Sequence, residues 1–300
     1  MNTSTDVPTD QKIVKFLVIG GGYSGKRLVA ELQRQGVEVL VTSRQKSGEA
    51  SQLVFNSETD DLPPLNQLTG ITHLVSTVPP DANGSDPCLR CLGSILATLP
   101  LRWVGYLSST GVYGNTSGGW VDEQSAPALP LQDRSAARLA CEEAWQAQGF
   151  PLQIFRLPGI YGPNRNPLGP LSRGLGKLVH KPGQVFGRIH VDDIVGALLH
   201  CLSLPKVQQP NLINVVDHLP APSSNTWGYA AHLLGCQLPN FQSFASIEAE
   251  LSPMAKSFWQ ENRRVSNQLL TKQLGYKLKY PTYREGLQAC FKEEGFCRQG

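Results

Sequence analysis

The sequence predicts an α/β fold built on a doubly wound parallel sheet, and three observations carry that prediction. Residues Lys15 to Leu32, KFLVIGGGYSGKRLVAEL, run strand, glycine turn, helix without a gap. Apolar strands and helix-forming stretches then alternate to about residue 160, the pattern of parallel strands joined by right-handed crossovers. The strands read as continuous apolar runs, which suits a sheet covered on both faces. Three hundred residues with 40% apolar content are enough to bury such a core.

The first strand, Phe16 to Ile19, meets Gly20, Gly22 and Gly25 in G-x-G-x-x-G spacing, and Leu28, Val29 and Leu32 follow on one helical face. In that spacing the first glycine permits a tight turn. The second lets backbone approach a pyrophosphate, and the third lets helix pack on strand. The N–H groups at the helix start would hold the charge, so Gly20, Gly21, Gly22, Tyr23, Ser24 and Gly25 form the candidate cradle.

Gly36 ends the first helix, and Val37 to Thr42 is the second strand. At its tip an acid would accept from a free ribose 2′-hydroxyl, whereas an arginine favours a 2′-phosphate. Here the tip reads Ser43, Arg44 and Lys46, with no acid, so NADP is the expected cofactor and NAD the alternative. Leu53 to Asn56 is a weak third strand. Thr72 to Val78 is a fourth, stopped by Pro79 and Pro80, and its end places Thr77 and Val78 beside the cofactor.

Cys88 to Leu99 suits a helix, Trp103 to Ser109 a fifth strand, Arg134 to Gln148 an alanine-rich helix closed by Gly149, and Leu152 to Leu157 another strand. The second half is less regular. It offers a Gly/Pro-rich run from Pro158 to Gly187, helices near 192–204, 224–234, 246–260 and 282–294, and a strand at 212–216.

Several function classes are disfavoured. A net charge of +3 predicts neither a nucleic-acid nor a membrane partner. Seven cysteines without framework spacing point to reduced thiols and a cytoplasmic setting, and the Cys88-x-x-Cys91 pair lacks the second pair or histidines that a metal site needs. Residues 1–12 lack the basic start and apolar core of a signal peptide and read as a disordered tail, and no later run is apolar enough to span a bilayer.

Taken together with the glycine loop, Leu107-Ser-Ser-Thr-Gly-Val-Tyr-Gly114, Arg156-Leu-Pro-Gly-Ile-Tyr-Gly-Pro163, Arg188-Ile-His-Val-Asp-Asp-Ile194 and Ile213-Asn-Val-Val216 resemble the extended short-chain dehydrogenase/reductase superfamily, its NAD-dependent epimerase/dehydratase-like group. The resemblance spans nearly the whole chain. It implies a Rossmann region over residues 13–160 that binds the dinucleotide. Residues 161–300 would form a smaller C-terminal substrate lobe and complete the sheet, with a cleft between. It also implies that Ser109 orients a substrate oxygen and that Arg138 and Pro158 join the cofactor set.

One departure stands out. Where the family carries Tyr-x-x-x-Lys, this chain reads Arg134-Ser-Ala-Ala-Arg138. Residues four apart share a helical face, so both guanidinium groups point the same way. Arg138 keeps the positive charge of the family lysine. Arg134 has no acceptor and does not release its proton, so it is no substitute for the phenol as acid or base. This pattern resembles the atypical branch of the superfamily.

Between Glu143 and Asp192 there is no acid, while Arg156, Arg165, Arg173, Lys177, Lys181 and Arg188 fall inside the stretch, which favours an anionic ligand. With the resemblance, this makes Tyr161, Arg165 and Arg173 the candidate substrate residues. Asp192 or Asp193 is expected to cap the following helix, with His190 packed. The expected function is an NADP-dependent oxidoreductase or epimerase/dehydratase-like enzyme acting on a small anionic substrate such as a nucleotide sugar or phosphorylated molecule. Ser109, Arg134 and Arg138 would be catalytic, and no metal is expected. The alternative is a catalytically inactive NADP-binding sensor or regulator. A homodimer is left open.

Overall fold

The computed structural model describes residues 14–45, 51–176 and 178–298. The expected tail at 1–12, together with Lys46 and Lys177, lies outside the described residues. The chain forms two compact units and enters each three times. Unit 1 takes residues up to Val112, Asp133–Arg156 and Ile194–Ile213, and unit 2 takes Tyr113–Gln132, Leu157–Asp193 and Asn214 onward.

A seven-stranded parallel sheet is the frame of unit 1. Its strands are β1 (Lys15–Ile19), β2 (Glu38–Ser43), β3 (Gln52–Val54), β4 (His73–Ser76), β5 (Trp103–Ser109), β6 (Leu152–Leu157) and β7 (Leu212–Asn214). Their spatial order is β7-β6-β5-β4-β1-β2-β3. The order reverses between β4 and β1, where Phe16 pairs with His73 and Ile19 with Ser76, and such a reversal opens a crevice at the strands' carboxyl ends.

The crossover helices are α1 (Tyr23–Arg34), α2 (Pro87–Leu96) and α3 (Asp133–Gln146). Asp86 caps α2 by accepting from the Leu89 N–H, and Pro87 occupies the first turn, where its missing N–H costs nothing. Leu17, Ile19, Leu74, Leu92, Val104, Tyr106, Trp145 and Ile154 bury together as the core of this unit. Cys88 lies in the same core with no exposure, which is the packing role of a small hydrophobe.

Several boundaries move. The fourth strand stops at Ser76, so Thr77 and Val78 lie just beyond it, and the strand expected at 212–216 ends at Asn214. The helix expected over 246–260 is broken into Phe244–Ile247, a 3₁₀ turn at Glu248–Glu250 and Pro253–Gln260. Ser252 caps the last piece with Pro253 at its start, a signal that ends one helix and begins another.

Unit 2 holds three short parallel pairs: Arg188–His190 on Gly159–Tyr161, Phe241–Ser243 on Leu178–His180, and Arg264–Val265 on Trp120–Val121. Helix α4 (Val191–Ser203) starts in unit 2 but belongs to unit 1 from Ile194 on, whereas α5 (Ser223–Leu234) and α6 (Tyr283–Glu293) lie in unit 2. Leu168, Leu171, Ala230, Leu234, Tyr283 and Leu287 bury as this unit's core, and Thr282 with Glu285 closes a capping box on α6.

Asp193 does not act as the expected helix cap. Its carboxylate is fully buried and accepts from the Tyr276 hydroxyl (3.0 Å) and the backbone N–H groups of Lys279 (2.6 Å) and Tyr280 (2.9 Å). Asp192 pairs with Lys279 Nζ at 2.9 Å. The motif around His190 thus fastens the 276–280 segment to the start of α4. The His190 ring packs against Tyr280 and Tyr161, as expected of a buried residue.

Candidate functional site

The glycine loop turns because two side chains hold its backbone. Thr42 Oγ1 accepts from Gly20 N–H (3.0 Å), the Thr42 carbonyl accepts from Gly21 N–H (2.6 Å), and Thr77 Oγ1 donates to the Gly20 carbonyl (2.8 Å). Gly20 has φ +102, and a Cβ there would sit 2.5 Å from Thr77 Oγ1. A Cβ on Gly25 would fall 2.0 Å from the Gly20 carbonyl oxygen, so this glycine lets α1 pack on the loop. Gly22 differs from both, since nothing lies within 4 Å of its Cβ position.

That open space faces the start of a twelve-residue helix whose first turn carries no acid. The helical ladder starts with Lys26 N–H donating to the Gly22 carbonyl, so the N–H groups of the first turn precede it. An exposed cradle, a positive dipole end and close backbone access fit a pyrophosphate. The residues present therefore fit a dinucleotide. Ser24 is buried beside Gly25, and Tyr23 begins the helix.

At the tip of β2, Ser43 Oγ donates to the Gln45 carbonyl and accepts from Gln52 Nε2. Arg44 is exposed at the turn that follows.

A second cluster lies at the carboxyl end of β5. Ser109 Oγ accepts from Gly111 N–H at 3.0 Å. The Cβ position of Gly111 is 3.2 Å from Ser109 Oγ, 2.9 Å from Ser135 Oγ and 3.6 Å from Arg134 Nη1, so Ser109 and Arg134 are brought together as expected from their places in the chain. Arg138 reaches from α3 to the sheet. Its Nη1 donates to the Tyr106 hydroxyl (2.9 Å), the Leu107 carbonyl (3.2 Å) and the Val78 carbonyl (3.4 Å). Sequence reasoning missed Thr42 and Tyr106, because both read as ordinary residues of buried strands.

The residues proposed for substrate binding lie in unit 2. Tyr161 is 7% exposed, and its phenol donates to the Thr282 carbonyl at 3.4 Å and packs against Gly286, so its hydroxyl is held inside that unit. Burial pushes the phenol's pKa well up. Arg165 and Arg173 are exposed, and Pro158 is half-buried. The basic run does not form one charged surface. Arg156 is buried against Glu142 in unit 1. In unit 2, Arg188 donates to the carbonyls of Phe186 and Ala221, and Lys181 donates to the Trp259 carbonyl.

Among the described residues, no group of three or more His, Cys, Asp and Glu side chains is placed to hold a metal ion, and no helix is long and apolar enough to cross a membrane.

No protein-family model matches this chain, and no match is found among curated proteins. Solved structures do match. A conserved protein of unknown function from Silicibacter pomeroyi DSS is 40% identical, with 93% of this chain and 99% of that one covered at a TM-score of 0.84. A protein from Methylobacillus flagellatus described as an NAD-dependent epimerase/dehydratase is 25% identical, with 94% and 99% covered at a TM-score of 0.71. The human epimerase family protein SDR39U1 (isoform 2), solved with NADPH, is 19% identical, with 93% and 99% covered at a TM-score of 0.69, a likeness of fold alone.

Proposed function

The chain belongs to the short-chain dehydrogenase/reductase superfamily, in its NAD-dependent epimerase/dehydratase-like group, and from that premise we propose that it is an NADP-dependent oxidoreductase or epimerase/dehydratase-like enzyme acting on a small anionic substrate. The observation that carries this reading is the cradle, closed to side chains at Gly20 and Gly25 yet open at Gly22. A nicotinamide dinucleotide bound there would supply hydride transfer. Gly20 to Gly25 would hold its pyrophosphate, Ser43 and Arg44 its adenosine ribose phosphate, and Thr77, Val78, Pro158 and Arg138 its other end. The expected Lys46 contact lies outside the described residues. Fold neighbours are solved with NADPH and with NAD alike, so the choice of NADP rests on Arg44.

The chain's own residues then act on the substrate. Ser109 Oγ already accepts from Gly111 N–H, which leaves its hydrogen for a substrate oxygen. The Arg134 and Arg138 guanidinium groups stabilise negative charge on that oxygen but carry no proton to give near neutral pH, so the proton comes from the substrate or from water. Arg165 and Arg173 are the proposed contacts for the substrate's anionic part, while the Tyr161 hydroxyl, the third candidate, is engaged by the Thr282 carbonyl.

The test is turnover with NADPH across carbonyl, phosphorylated and nucleotide-sugar substrates, alongside calorimetry with NADPH and NADH. Turnover that falls at least tenfold in Ser109→Ala supports the enzyme. Tight NADPH binding with no turnover favours the second reading, an inactive NADP-binding sensor, for which the arginines at 134 and 138 are the motive. If neither cofactor binds, both readings fail.

A further inference from the structure

Arg138 is not held as a mobile surface cation is. One nitrogen, Nη1, meets three oxygens, and the acceptors are a phenol and two carbonyls, all uncharged. Among the described residues Nε and Nη2 make no hydrogen bond, and no carboxylate lies within ion-pair distance. The donors on Nε and Nη2 are therefore unused within the described residues. The guanidinium's direction is set by what grips the third nitrogen.

The grip centres on Tyr106. This residue is fully buried on β5, and the Arg138 guanidinium carbon lies 5.7 Å from its ring centroid. The ring stacks on Trp145 at 5.5 Å and 28°. Trp145 is itself fixed, because its indole N–H donates to Asp86 Oδ2 at 2.8 Å while Asp86 Oδ1 caps α2. The phenol thus has little freedom to rotate, and its oxygen is a fixed point on the sheet. Burial pushes its pKa well up, so it stays a neutral acceptor and does not cancel the arginine's charge.

We infer that Tyr106 is a positioning residue: its hydroxyl aims the Arg138 guanidinium at the nicotinamide end of the bound dinucleotide, with Trp145 and Asp86 holding Tyr106 in place. This rests on the reading above that unit 1 binds a nicotinamide dinucleotide. An arginine in a lysine's place needs such a clamp, because its charge is spread over a planar fork whose orientation decides which donors reach the ligand.

The experiment measures affinity by calorimetry for wild type, Tyr106→Phe, Arg138→Met and the double variant. The probes are NADPH and NADH, each compared with the fragment that lacks only the nicotinamide riboside, 2′-phospho-ADP for the first and ADP for the second. Tyr106→Phe keeps the ring and its stacking on Trp145, and thermal melting checks that it folds. Each single variant should bind the whole dinucleotide about tenfold more weakly, the loss of one hydrogen bond to a charged group. The double variant should lose no more than Arg138→Met alone, and affinity for the fragments should stay within about twofold. Equal losses for dinucleotide and fragment, additive losses in the double variant, or no loss in Tyr106→Phe would each overturn the inference while leaving dinucleotide binding intact. A wild type that binds neither the dinucleotides nor the fragments would overturn both.

Discussion

Arg156 lies across Glu142 as a buried bidentate pair, with Nη2 2.7 Å from Oε2 and Nε 3.1 Å from Oε1. The Ser108 hydroxyl donates to the same Oε1. The pair ties β6 to α3, so a residue that reads as part of a ligand-binding basic run is instead structural. Glu142→Ala leaves a buried guanidinium without its partner and should cost about 3–5 kcal/mol. Replacing both, Glu142→Leu with Arg156→Met, should cost clearly less, because no charge is stranded. Urea unfolding of the two variants checks the order, and a double variant less stable than Glu142→Ala would refute it.

The glycine loop gives a second contrast. Gly25→Ala would place a carbon 2.0 Å from the Gly20 carbonyl oxygen, which backbone cannot relieve cheaply, and it should destabilise the fold and abolish dinucleotide binding together. Gly22→Ala meets no protein atom within 4 Å and has an ordinary φ of −77. It should change stability by less than about 1 kcal/mol while weakening NADPH binding about tenfold or more, since the new methyl occupies the ligand's approach. If Gly22→Ala binds NADPH as wild type does, the cradle is not used.

How much of this was legible in the residues depended on range. The glycine loop, the strands at 103–109 and 152–157 and the order of crossover helices follow from local pattern, because apolar run length and glycine spacing are themselves local. The partners of Arg156 and Arg188 do not. A count of basic residues carries no information on which of them turn inward, and Glu142 lies fourteen residues from the arginine it neutralises. Trp120–Val121 pairs with Arg264–Val265 across more than 140 residues, and two-residue strands have no period to read. Tyr106 reads as an ordinary residue of a buried strand, and its partner Arg138 lies 32 residues on, in another element. The break at Pro253 was present in the residues, as Ser-Pro, and apolar spacing across it masked the signal.

The buried acids of unit 2 give a pH dependence. Burial raises Asp217 to about 7 and Asp193 to about 6, from an ordinary 3.8. A carboxyl whose pKa is raised on folding binds its proton more tightly in the native state, so its contribution is complete below the unfolded value and is lost as pH rises through the folded one. His73 works the other way, since burial lowers it to about 4 and its contribution is lost as pH falls below 6.5. Between pH 7 and 8 the histidine is mostly neutral in both states, and Asp217 sets the slope. Stability should fall by about 1 kcal/mol from pH 6 to 8. Asp217→Asn should flatten that limb in melts across the range, and an unchanged slope would show that Asp217 does not titrate there.

The proposed preference for NADP rests on Arg44. The Ser43 hydroxyl at the tip of β2 is engaged by Gln45 and Gln52, whereas Arg44 is exposed at the turn that follows, the position proposed for the ribose 2′-phosphate. A guanidinium gives a phosphate charge-assisted hydrogen bonds of roughly 1.5–3 kcal/mol each, so its loss should weaken NADP by about 10- to 100-fold. An aspartate in the same place repels the phosphate and accepts from a free 2′-hydroxyl, so Arg44→Asp should leave NAD binding unchanged or improve it. The quantity to measure is the ratio of NADP to NAD affinity at fixed ionic strength, because added salt weakens the phosphate contact on its own. A variant that loses both cofactors in equal proportion would place the selecting contact elsewhere on the chain, and a wild type that prefers NAD would reverse the assignment.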